Sequence, residues 1–367
     1  MLDPRLIKLA DVLVQYSVKV KPDEWVIIYY HPLAEEFACE VYRAVLQAGG
    51  YPYSLVDSDK LSETKYRYAS DKQLDWVSPV EDLVYKKADV AIVLTASENT
   101  RFLNNVDPTK QQRAAAAGTE LMKVMMERTA SGDFRWTMTQ FPCPAFAQEA
   151  DMSLTEYQDF VHKATFTDQD DPIAAWEKVH DEQQKIVDWL KGKKQVNVKS
   201  PNAELSLSIE DRGFINADGT FNMPSGEVYT SPVEDSAEGW VEFTYPAINL
   251  GKEVTGVRFE IEKGRVVKAT AEKNEEFLNA MLDTDEGARI LGEFAIGTNY
   301  GIQQFTGSIL YDEKIGGSFH IATGLGFPEV GGENVSATHW DFICDIQKDS
   351  QIHVDEELLY KDGKFVI

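Results

Sequence analysis

Two patterns of apolar residues, one with helical spacing and one continuous, alternate along the first part of the chain. Leu6–Val18 and Leu33–Ala48 carry apolar residues at helical spacing, which predicts amphipathic helices. Trp25–Tyr30 and Asp89–Thr95 are continuous runs of apolar, β-branched and aromatic residues, typical of buried parallel strands. Tyr53–Val56 predicts a further strand after the second helix. This alternation predicts an α/β domain with a mainly parallel sheet.

Helical patterns continue to the middle of the chain and then give way to another pattern. One covers Asp71–Lys87, and the longest is the amphipathic segment Pro172–Lys191. That segment ends in a Lys-Gly-Lys-Lys stretch, and glycine among basic residues is typical of a helix end. Because 367 residues are many for a single core, we predict two domains, an N-terminal α/β domain over 1–194 and a second domain over 195–367.

Apolar and polar residues alternate with period two in much of the second domain. Five segments have this pattern: Val196–Lys199, Leu205–Ile209, Val241–Tyr245, Val257–Glu262 and Val266–Ala271. Such alternation is typical of half-buried antiparallel strands, and a Glu-Lys-Gly-Arg sequence predicts a hairpin turn between the last two. Short helices are predicted over Asn274–Met281 and Glu286–Ile290. The second domain is therefore predicted to be mostly antiparallel β with a few helices.

The charge and the cysteine content restrict the partners and the location of the protein. With 61 acidic and 36 basic residues the formal net charge is −25, which argues against nucleic acid and anionic membranes as partners. Three cysteines without CxxC spacing favour a reducing compartment over a disulfide framework. The N-terminal segment lacks the apolar stretch of a signal peptide, and no apolar run approaches the ~20 residues that span a membrane. We therefore expect a cytoplasmic protein.

Candidate chemistry is concentrated in a glycine-rich stretch near the end of the chain. This stretch contains His320 and His339, two of the six histidines, and Asp341 two residues after the second. Residues two apart on a strand point to the same face, so His339 and Asp341 can address one point in space. Two imidazoles and a carboxylate connected by a tight loop predict half of a metal site.

Two glutamates with unusual neighbours could supply the other half of this site. Glu227 follows a Pro-Ser-Gly turn, which fixes the backbone that carries the carboxylate; the alternative is an exposed turn residue. Glu293 lies in an apolar segment bounded by glycines, where a carboxylate is costly to bury unless it is paired or bound to a metal. An ion pair with Arg289, four residues earlier, is the alternative for Glu293.

Together these five residues supply three carboxylates and two imidazoles, which is more than one ion needs. Two divalent ions bridged by one carboxylate would use all five and leave positions for water. Nitrogen and oxygen ligands without sulfur suit zinc, cobalt, manganese or magnesium and do not choose among them. A serine or cysteine nucleophile is the competing hypothesis. Against it, the chain has no GxSxG motif, and Cys344 lies in an apolar segment typical of a core.

As a set, these motifs resemble the aminopeptidase T / aminopeptidase S family of dinuclear metallo-aminopeptidases. The stretches that carry the resemblance are NMPSGEVYTSPVEDSAEG, LGEFAIGTNYGI and GGSFHIATGLGFPEVGGENVSATHWDFICD. The opening helix and the ADVAIVL strand are similar to the family's N-terminal domain, so the resemblance covers nearly the whole chain. It implies a homodimer with a secluded active site that removes N-terminal residues from short peptides.

The resemblance also implies a role for each of the five residues. Glu293 matches the bridging glutamate of the family, at the centre of the catalytic site. Glu227 and His320 match the ligands of one metal, and His339 and Asp341 match the ligands of the other. A water between the two metals is then expected to attack the scissile carbonyl.

Two features depart from the family pattern. The two histidines are 19 residues apart, a shorter loop than in the better-known members. Phe327 occupies the position seven residues after the first histidine, where the family has a tyrosine. Phenylalanine cannot donate a hydrogen bond to a developing oxyanion, and loss of one such donor costs about 10²–10³ in rate. Either another group substitutes, with Tyr300 and Tyr311 the nearest tyrosines in sequence, or activity on the usual substrates is reduced. The alternative functions are a metal-dependent amidohydrolase with other substrates and a catalytically silent metal-binding paralogue.

Overall fold

The structure is a computed structural model that describes residues 2–367 of the chain. Its α-helices, in chain order, are α1 (Pro4–Asp11), α2 (Glu35–Gln47), α3 (Asp59–Tyr68), α4 (Asp71–Leu74), α5 (Pro79–Lys87), α6 (Pro108–Ala117), α7 (Thr119–Ser131), α8 (Pro144–Glu149), α9 (Leu154–Ala164), α10 (Pro172–Leu190), α11 (Glu275–Leu282) and α12 (Ile309–Asp312). Its strands are β1 (Trp25–Tyr30), β2 (Tyr51–Val56), β3 (Val90–Thr95), β4 (Arg135–Gln140), β5 (Gln195–Ser200), β6 (Ala203–Ser208), β7 (Ile215–Ala217), β8 (Asn222–Met223), β9 (Glu227–Thr230), β10 (Glu238–Glu242), β11 (Ala247–Asn249), β12 (Lys252–Val254), β13 (Arg258–Glu262), β14 (Arg265–Thr270), β15 (Leu291–Gly297), β16 (Ser318–Gly324), β17 (His339–Asp345), β18 (Gln351–Val354), β19 (Glu357–Lys361) and β20 (Lys364–Phe365).

A parallel sheet with the order β2-β1-β3-β4-β8 organises the N-terminal part of the chain. Every neighbouring pair in this sheet is parallel. Val26, Ile27 and Ile28 of β1 are fully buried, because helices follow the strands and cover the sheet. The predicted α/β fold of this part of the chain is confirmed.

Two antiparallel sheets organise the rest of the chain. One has the strand order β14-β13-β10-β6-β5-β18-β19-β20 and the other the order β17-β16-β15-β9-β7. Apolar side chains from both sheets form one core cluster, which includes Leu205 and Phe259 from the first and Phe294 and Phe342 from the second. The predicted antiparallel architecture is confirmed, and the predicted hairpin turn joins β13 to β14.

Two of the elements predicted for the C-terminal part are wrong in detail. The segment Glu286–Ile290 is not a helix, because the Asp285 side chain accepts the Gly287 N–H at 3.0 Å and forms a local turn instead. The strand predicted over Val241–Tyr245 is β10, which begins and ends three residues earlier along the chain.

The chain divides into two compact units. The first runs to Trp176 and also includes Gly219–Pro224, and the second contains Glu177–Asp218 and Ser225–Ile367. The division falls inside α10, whereas the sequence predicted a boundary at the end of that helix, near Lys194. The domain boundary near Lys194 stays a prediction. Within residues 2–367, no helix is both long and apolar enough to cross a membrane.

Candidate metal centre

The five predicted residues lie on four neighbouring strands of the sheet β17-β16-β15-β9-β7. Directly paired residues of antiparallel strands point to the same face. Asp341 pairs with Ala322, and Ala322 pairs with Glu293. The other three members pair with small residues of neighbouring strands: His339 with Gly324, His320 with Ala295, and Glu227 with Gly297. Each of these partners is an even number of residues from Ala322 or Glu293 on its own strand and therefore lies on the same face. Strand register therefore places Glu227, Glu293, His320, His339 and Asp341 together, and we call this set the carboxylate–histidine cluster.

Small residues separate the members of the cluster on this face of the sheet. The positions directly paired with them are Ala295, Gly297, Ala322 and Gly324. Larger side chains there would fill the space between the carboxylates and the imidazoles. At Gly297 a Cβ atom would lie 2.2 Å from the carbonyl oxygen of Ile315, so glycine allows a loop to lie directly against β15.

Hydrogen bonds fix the turn that carries Glu227, the first residue of β9. The Asn299 Nδ2 group donates to the Ser225 carbonyl oxygen at 2.8 Å, and the Thr298 N–H donates to the Gly226 carbonyl oxygen at 2.8 Å. Gly226 has φ of +119°, and a Cβ atom there would lie 2.6 Å from the Cβ atom of Asn299. The Pro-Ser-Gly turn thus positions the carboxylate of Glu227, which is buried and not exposed to solvent.

The distances make Glu293 the central member of the cluster. One of its oxygens, Oε1, lies 3.6 Å from His320 Nε2, and the other, Oε2, lies 3.2 Å from His339 Nε2. His320 Nε2 also lies 3.5 Å from Glu227 Oε2, and His339 Nε2 lies 3.4 Å from Asp341 Oδ1. His339 Nδ1 donates to the Leu325 carbonyl oxygen at 2.9 Å, which leaves Nε2 of this ring directed at the carboxylates.

Several buried atoms of the cluster lack hydrogen-bond partners among the described residues. They are Glu227 Oε2, Asp341 Oδ1 and both ring nitrogens of His320. A buried polar atom without a partner is costly, and native structures contain few of them. Imidazole nitrogens and carboxylate oxygens that converge in this way are suitable ligands for a divalent ion, which would satisfy all of them at once. The residues therefore fit a metal.

The profile of the thermophilic metalloprotease (M29) family matches residues 2–365 of the chain. The chain belongs to this M29 family. Aminopeptidase T of Thermus thermophilus is 25% identical over 97% of the chain and 95% of its own length. Aminopeptidase 2 of Geobacillus stearothermophilus is 24% identical over 96% of the chain and 91% of its own length. The solved structure of wild-type AmpT from Thermus thermophilus shares the fold, with a TM-score of 0.85 and 23% identity over 99% of each chain.

These comparisons confirm the family resemblance and the enzyme class that the motifs predicted: the chain is a peptidase of a metalloprotease family. Membership of the M29 family also implies that the protein uses divalent metal ions. The alternative ion pair for Glu293 is wrong, because Arg289 instead contacts Asp283, with 2.6 Å between Nε and Oδ1. Cys344 is buried in the core, which raises the pKa of its thiol and agrees with the structural role predicted for it.

Two residues that the sequence patterns do not predict, Glu313 and Lys314, lie next to the cluster in this M29 metalloprotease. Ligand atoms of Glu313, His320 and Asp341 lie within 4.8 Å of one another. Lys314 is fully buried, contacts the carboxylate of Glu313, and places its Nζ atom 3.6 Å from Glu227 Oε1. Their signal in the sequence is a Glu-Lys pair that Ile315 separates from the two glycines before His320.

The ionisation of the M29 centre reflects its excess of negative charge. Burial raises the pKa of Glu227, although the Lys314 charge opposes the shift. Burial also opposes ionisation of Glu293, but the neighbouring imidazoles of His320 and His339 outweigh it and lower the pKa of this carboxyl. For both histidines, burial disfavours the charged ring, and the neighbouring carboxylates nevertheless raise the pKa. The excess of carboxylates therefore favours positive charge at the centre, including the protons that the two imidazole rings take up.

Two aromatic rings lie beside the cluster in the M29 chain. The Phe327 and His339 ring centroids are 5.2 Å apart, and those of Phe327 and Tyr229 are 5.0 Å apart. Tyr229 is two residues after Glu227 on β9, so the two side chains share a face. The two tyrosines named as the nearest in sequence have other surroundings. The Tyr300 hydroxyl donates to the Gly363 carbonyl oxygen at 2.8 Å, and Tyr311 is fully buried in α12. Tyr229 is thus a phenol next to the cluster that the sequence motifs do not reveal. Strand alternation from Glu227 nevertheless predicts that its side chain lies on the same face of the sheet.

Proposed function

We propose that this M29 protein is an aminopeptidase that removes the N-terminal residue from short peptides with two divalent ions. The observation that carries the proposal is that possible ligands form overlapping groups of three, two of which share Glu293. One group is Glu227, Glu293 and His320, and the other is Glu293, His339 and Asp341. Glu293 belongs to both groups, as a bridging carboxylate would. The names of the relatives, aminopeptidase T and aminopeptidase 2, support cleavage at the N-terminal end of a peptide.

The balance of charge supports two ions rather than one. Four carboxylates, those of Glu227, Glu293, Glu313 and Asp341, face a single buried ammonium group, that of Lys314. The excess of negative charge is larger than one divalent ion can neutralise, and uncompensated buried charge is costly. Zinc, cobalt, manganese and magnesium all remain candidates, because the ligands are nitrogen and oxygen only.

Divalent ions bound there would polarise a scissile carbonyl and lower the pKa of a coordinated water. The residues of the chain supply the rest of the chemistry. Glu313 clusters with His320 and Asp341, one residue from each proposed set of ligands. Burial raises the pKa of Glu313, which suits its carboxylate to take a proton from the attacking water and return it to the leaving amine. We assign Glu313 to this proton transfer.

The Tyr229 hydroxyl is our candidate for the hydrogen-bond donor to the developing oxyanion. Phe327 contacts His339 but has no donor, and Tyr229 is the neighbouring ring that has one. Among the described residues no hydrogen bond to the Tyr229 hydroxyl is found, so the group is available to a substrate. Burial, with Glu227 and Glu293, raises the pKa of this phenol, which keeps the proton on the donor.

The decisive experiment is an activity assay on protein that has been stripped of metal and reloaded. Zn²⁺, Co²⁺, Mn²⁺ and Mg²⁺ are each added, and hydrolysis of leucine p-nitroanilide is compared with that of its N-acetylated form. We expect cleavage of the free-amine substrate alone, with about two ions per chain by elemental analysis. Equal or faster cleavage of the blocked substrate would contradict the aminopeptidase proposal.

A matched pair of variants tests the central carboxylate. Glu293→Gln is expected to lower kcat at least about 10²-fold and to reduce the metal content, because the bridging charge is lost. Glu260→Gln, on β13 outside the cluster, serves as the control because its side chain is 44% exposed, and it should match the wild type in both measurements. Similar metal content and activity in both variants would contradict the assignment of Glu293.

We also propose that the enzyme is cytoplasmic and a homodimer. All three cysteines, Cys39, Cys143 and Cys344, are free thiols, which is typical of a reducing compartment. The homodimer is implied by the resemblance to the aminopeptidase T / aminopeptidase S family. Light scattering after size-exclusion chromatography tests it, with a particle of twice the 41.3 kDa chain mass expected and one of a single chain mass contradicting it.

A further inference from the structure

A cavity of about 300 Å³ opens beside the carboxylate–histidine cluster. His339 and Asp341 form one end of its lining, so the cavity is continuous with the proposed metal centre. Most of the remaining lining is apolar: Pro246, Ala247, Ile248, Phe305, Ile309 and Ile343. Ligand pockets of this size in proteins are usually apolar with a few polar groups at one end.

Three different elements fix the apolar walls of the cavity. Ile248 lies on β11 of the short β11–β12 hairpin. Ile309 is the first residue of α12, and Phe305 before it stacks on Tyr245, with ring centroids 5.8 Å apart. Ile343 follows Asp341 by two residues on β17 and therefore lies on the same face of the sheet. The register that places Asp341 at the metal centre thus also places an apolar side chain in the cavity.

The lining also contains polar side chains, those of Asn249, Asp312, His339 and Asp341. The Asp312 Oδ1 atom already accepts the N–H and the Oγ1–H of Thr306, each at 2.8 Å, and so helps to hold the loop before α12. His339 and Asp341 are at the end next to the cluster. The side chains of His339 and Asp341 therefore suit the polar groups of a substrate, and those of Ile248, Ile309 and Ile343 suit hydrocarbon.

Two of the apolar side chains in the lining are exposed to solvent. Ile248 is 39% exposed and Ile309 is 49% exposed, although both line the cavity. Covering apolar surface contributes about 25 cal/mol per Å², so a hydrocarbon side chain that enters the cavity would bind with a favourable free energy.

We propose that this cavity receives the side chain of the N-terminal residue of the substrate, and that the enzyme prefers large apolar residues there. The inference rests on the aminopeptidase function proposed above, and it adds which peptides that function acts on. A peptide that starts with leucine, methionine or phenylalanine would place its reacting amide at the cluster and its side chain between Ile309 and Ile343. Glycine would leave the walls exposed, and an aspartate or lysine side chain would lose its hydration there.

The test is a comparison of kcat/KM for p-nitroanilides of leucine, phenylalanine, glycine, lysine and aspartate with the metal-loaded wild-type enzyme. Because one methylene group in an apolar pocket is worth about 10-fold or more in kcat/KM, we expect leucine to exceed glycine by at least about 100-fold. Leucine is expected to exceed the two charged residues by a similar factor. Equal kcat/KM for leucine and glycine would overturn the inference.

Variants at Ile309 connect the preference to this cavity. Ile309→Asp is expected to lower the leucine-to-lysine ratio of kcat/KM at least about 10-fold, because a carboxylate in the wall disfavours hydrocarbon and favours an ammonium group. Ile309→Ala removes side-chain volume without adding charge and should raise the phenylalanine-to-leucine ratio. The control is Val267→Asp on β14, whose wild-type side chain is 48% exposed and does not line the cavity.

The outcomes separate this inference from the function on which it rests. If none of the p-nitroanilides is cleaved, the aminopeptidase proposal fails and the inference fails with it. If all are cleaved at similar rates, only the inference fails. It also fails if the Ile309 variants change the ratios no more than Val267→Asp does.

Discussion

The aromatic rings of Tyr229 and Phe327 lie side by side, with centroids 5.0 Å apart and their planes at 54°. Phe327 also contacts the ring of His339, so the pair extends from the metal centre to strand β9. One ring of the pair has a hydroxyl group and the other does not. The ring without a hydroxyl group is that of Phe327, at the position where the family resemblance led us to expect a tyrosine. The adjacent strand supplies a phenol at a neighbouring position instead.

This relationship predicts the effect of moving one hydroxyl group. Tyr229→Phe is expected to lower kcat about 10²-fold with little change in KM, because a donor to the transition state is lost while ground-state binding remains. Adding Phe327→Tyr to that variant should recover much of the lost rate. Steady-state kinetics of the metal-loaded variants measure the loss of kcat and its recovery. Elemental analysis should show that their metal content equals that of the wild type.

Tyr300→Phe provides the control for this hydroxyl experiment. The Tyr300 hydroxyl donates to the Gly363 carbonyl oxygen, so its loss should leave kcat near the wild-type value. A Tyr229→Phe enzyme that keeps full kcat would refute the role of this phenol and leave the aminopeptidase function intact.

Removal of the divalent ions is expected to destabilise the protein as well as inactivate it. The buried atoms of Glu227, His320 and Asp341 that lack partners would lose the charge that satisfies them. A ligand at 100 times its Kd stabilises the folded state by about 2.7 kcal/mol, so a chelator should lower Tm by several degrees. Thermal unfolding with and without EDTA measures this. The shift should shrink in Glu293→Gln; an equal Tm with and without metal would contradict a buried metal site.

Strand alternation explains how much of the centre could be predicted from the sequence. The two-residue spacing of His339 and Asp341 on one strand is a local property, and the sequence reveals it directly. The positions of Glu313 and Lys314 depend on a contact between Gly297 and the Ile315 carbonyl oxygen, which joins segments far apart in the chain. No local pattern encodes such a contact, and these two residues were therefore missed.

Local patterns also failed where a side chain competes with the backbone. The sequence of Glu286–Ile290 suits a helix, but the neighbouring Asp285 accepts the N–H of Gly287 and also the Ser336 hydroxyl at 2.9 Å. The second of these contacts is distant in sequence. Parallel and antiparallel sheets were easier to predict, because their burial patterns differ along each strand.

Removal of the buried positive charge of Lys314 is expected to lower the stability of the protein strongly. This side chain is fully buried between the carboxylates of Glu227 and Glu313. Lys314→Met keeps the hydrocarbon chain but leaves both carboxylates without their ammonium partner, which should lower the free energy of unfolding by about 3–5 kcal/mol. Lys268→Met, at an exposed ion pair with Glu260, is the control and should change stability little. Urea unfolding of metal-loaded protein measures both; equal losses would contradict the assigned role of Lys314.

A buried histidine outside the centre predicts how stability depends on pH. His162 on α9 is fully buried, and its Nδ1 atom lies 2.7 Å from Thr167 Oγ1. Burial, with the nearby charge of Arg5, lowers the pKa of His162 to about 4, although Asp3 and Asp159 oppose the shift. The unfolded chain has the ordinary value of about 6.5 and therefore takes up a proton first as the pH falls.

The stability associated with neutral His162 is thus complete above about pH 6.5 and is lost as the pH falls toward about 4. The total loss is on the order of 3 kcal/mol, since each pKa unit corresponds to about 1.4 kcal/mol. His162→Gln can keep a hydrogen bond to Thr167 but does not titrate, so its free energy of unfolding should fall less than that of the wild type between pH 7.5 and pH 5. Urea unfolding at several pH values measures the difference, and parallel pH profiles for the two proteins would show that the wild-type imidazole does not stay neutral in the folded state.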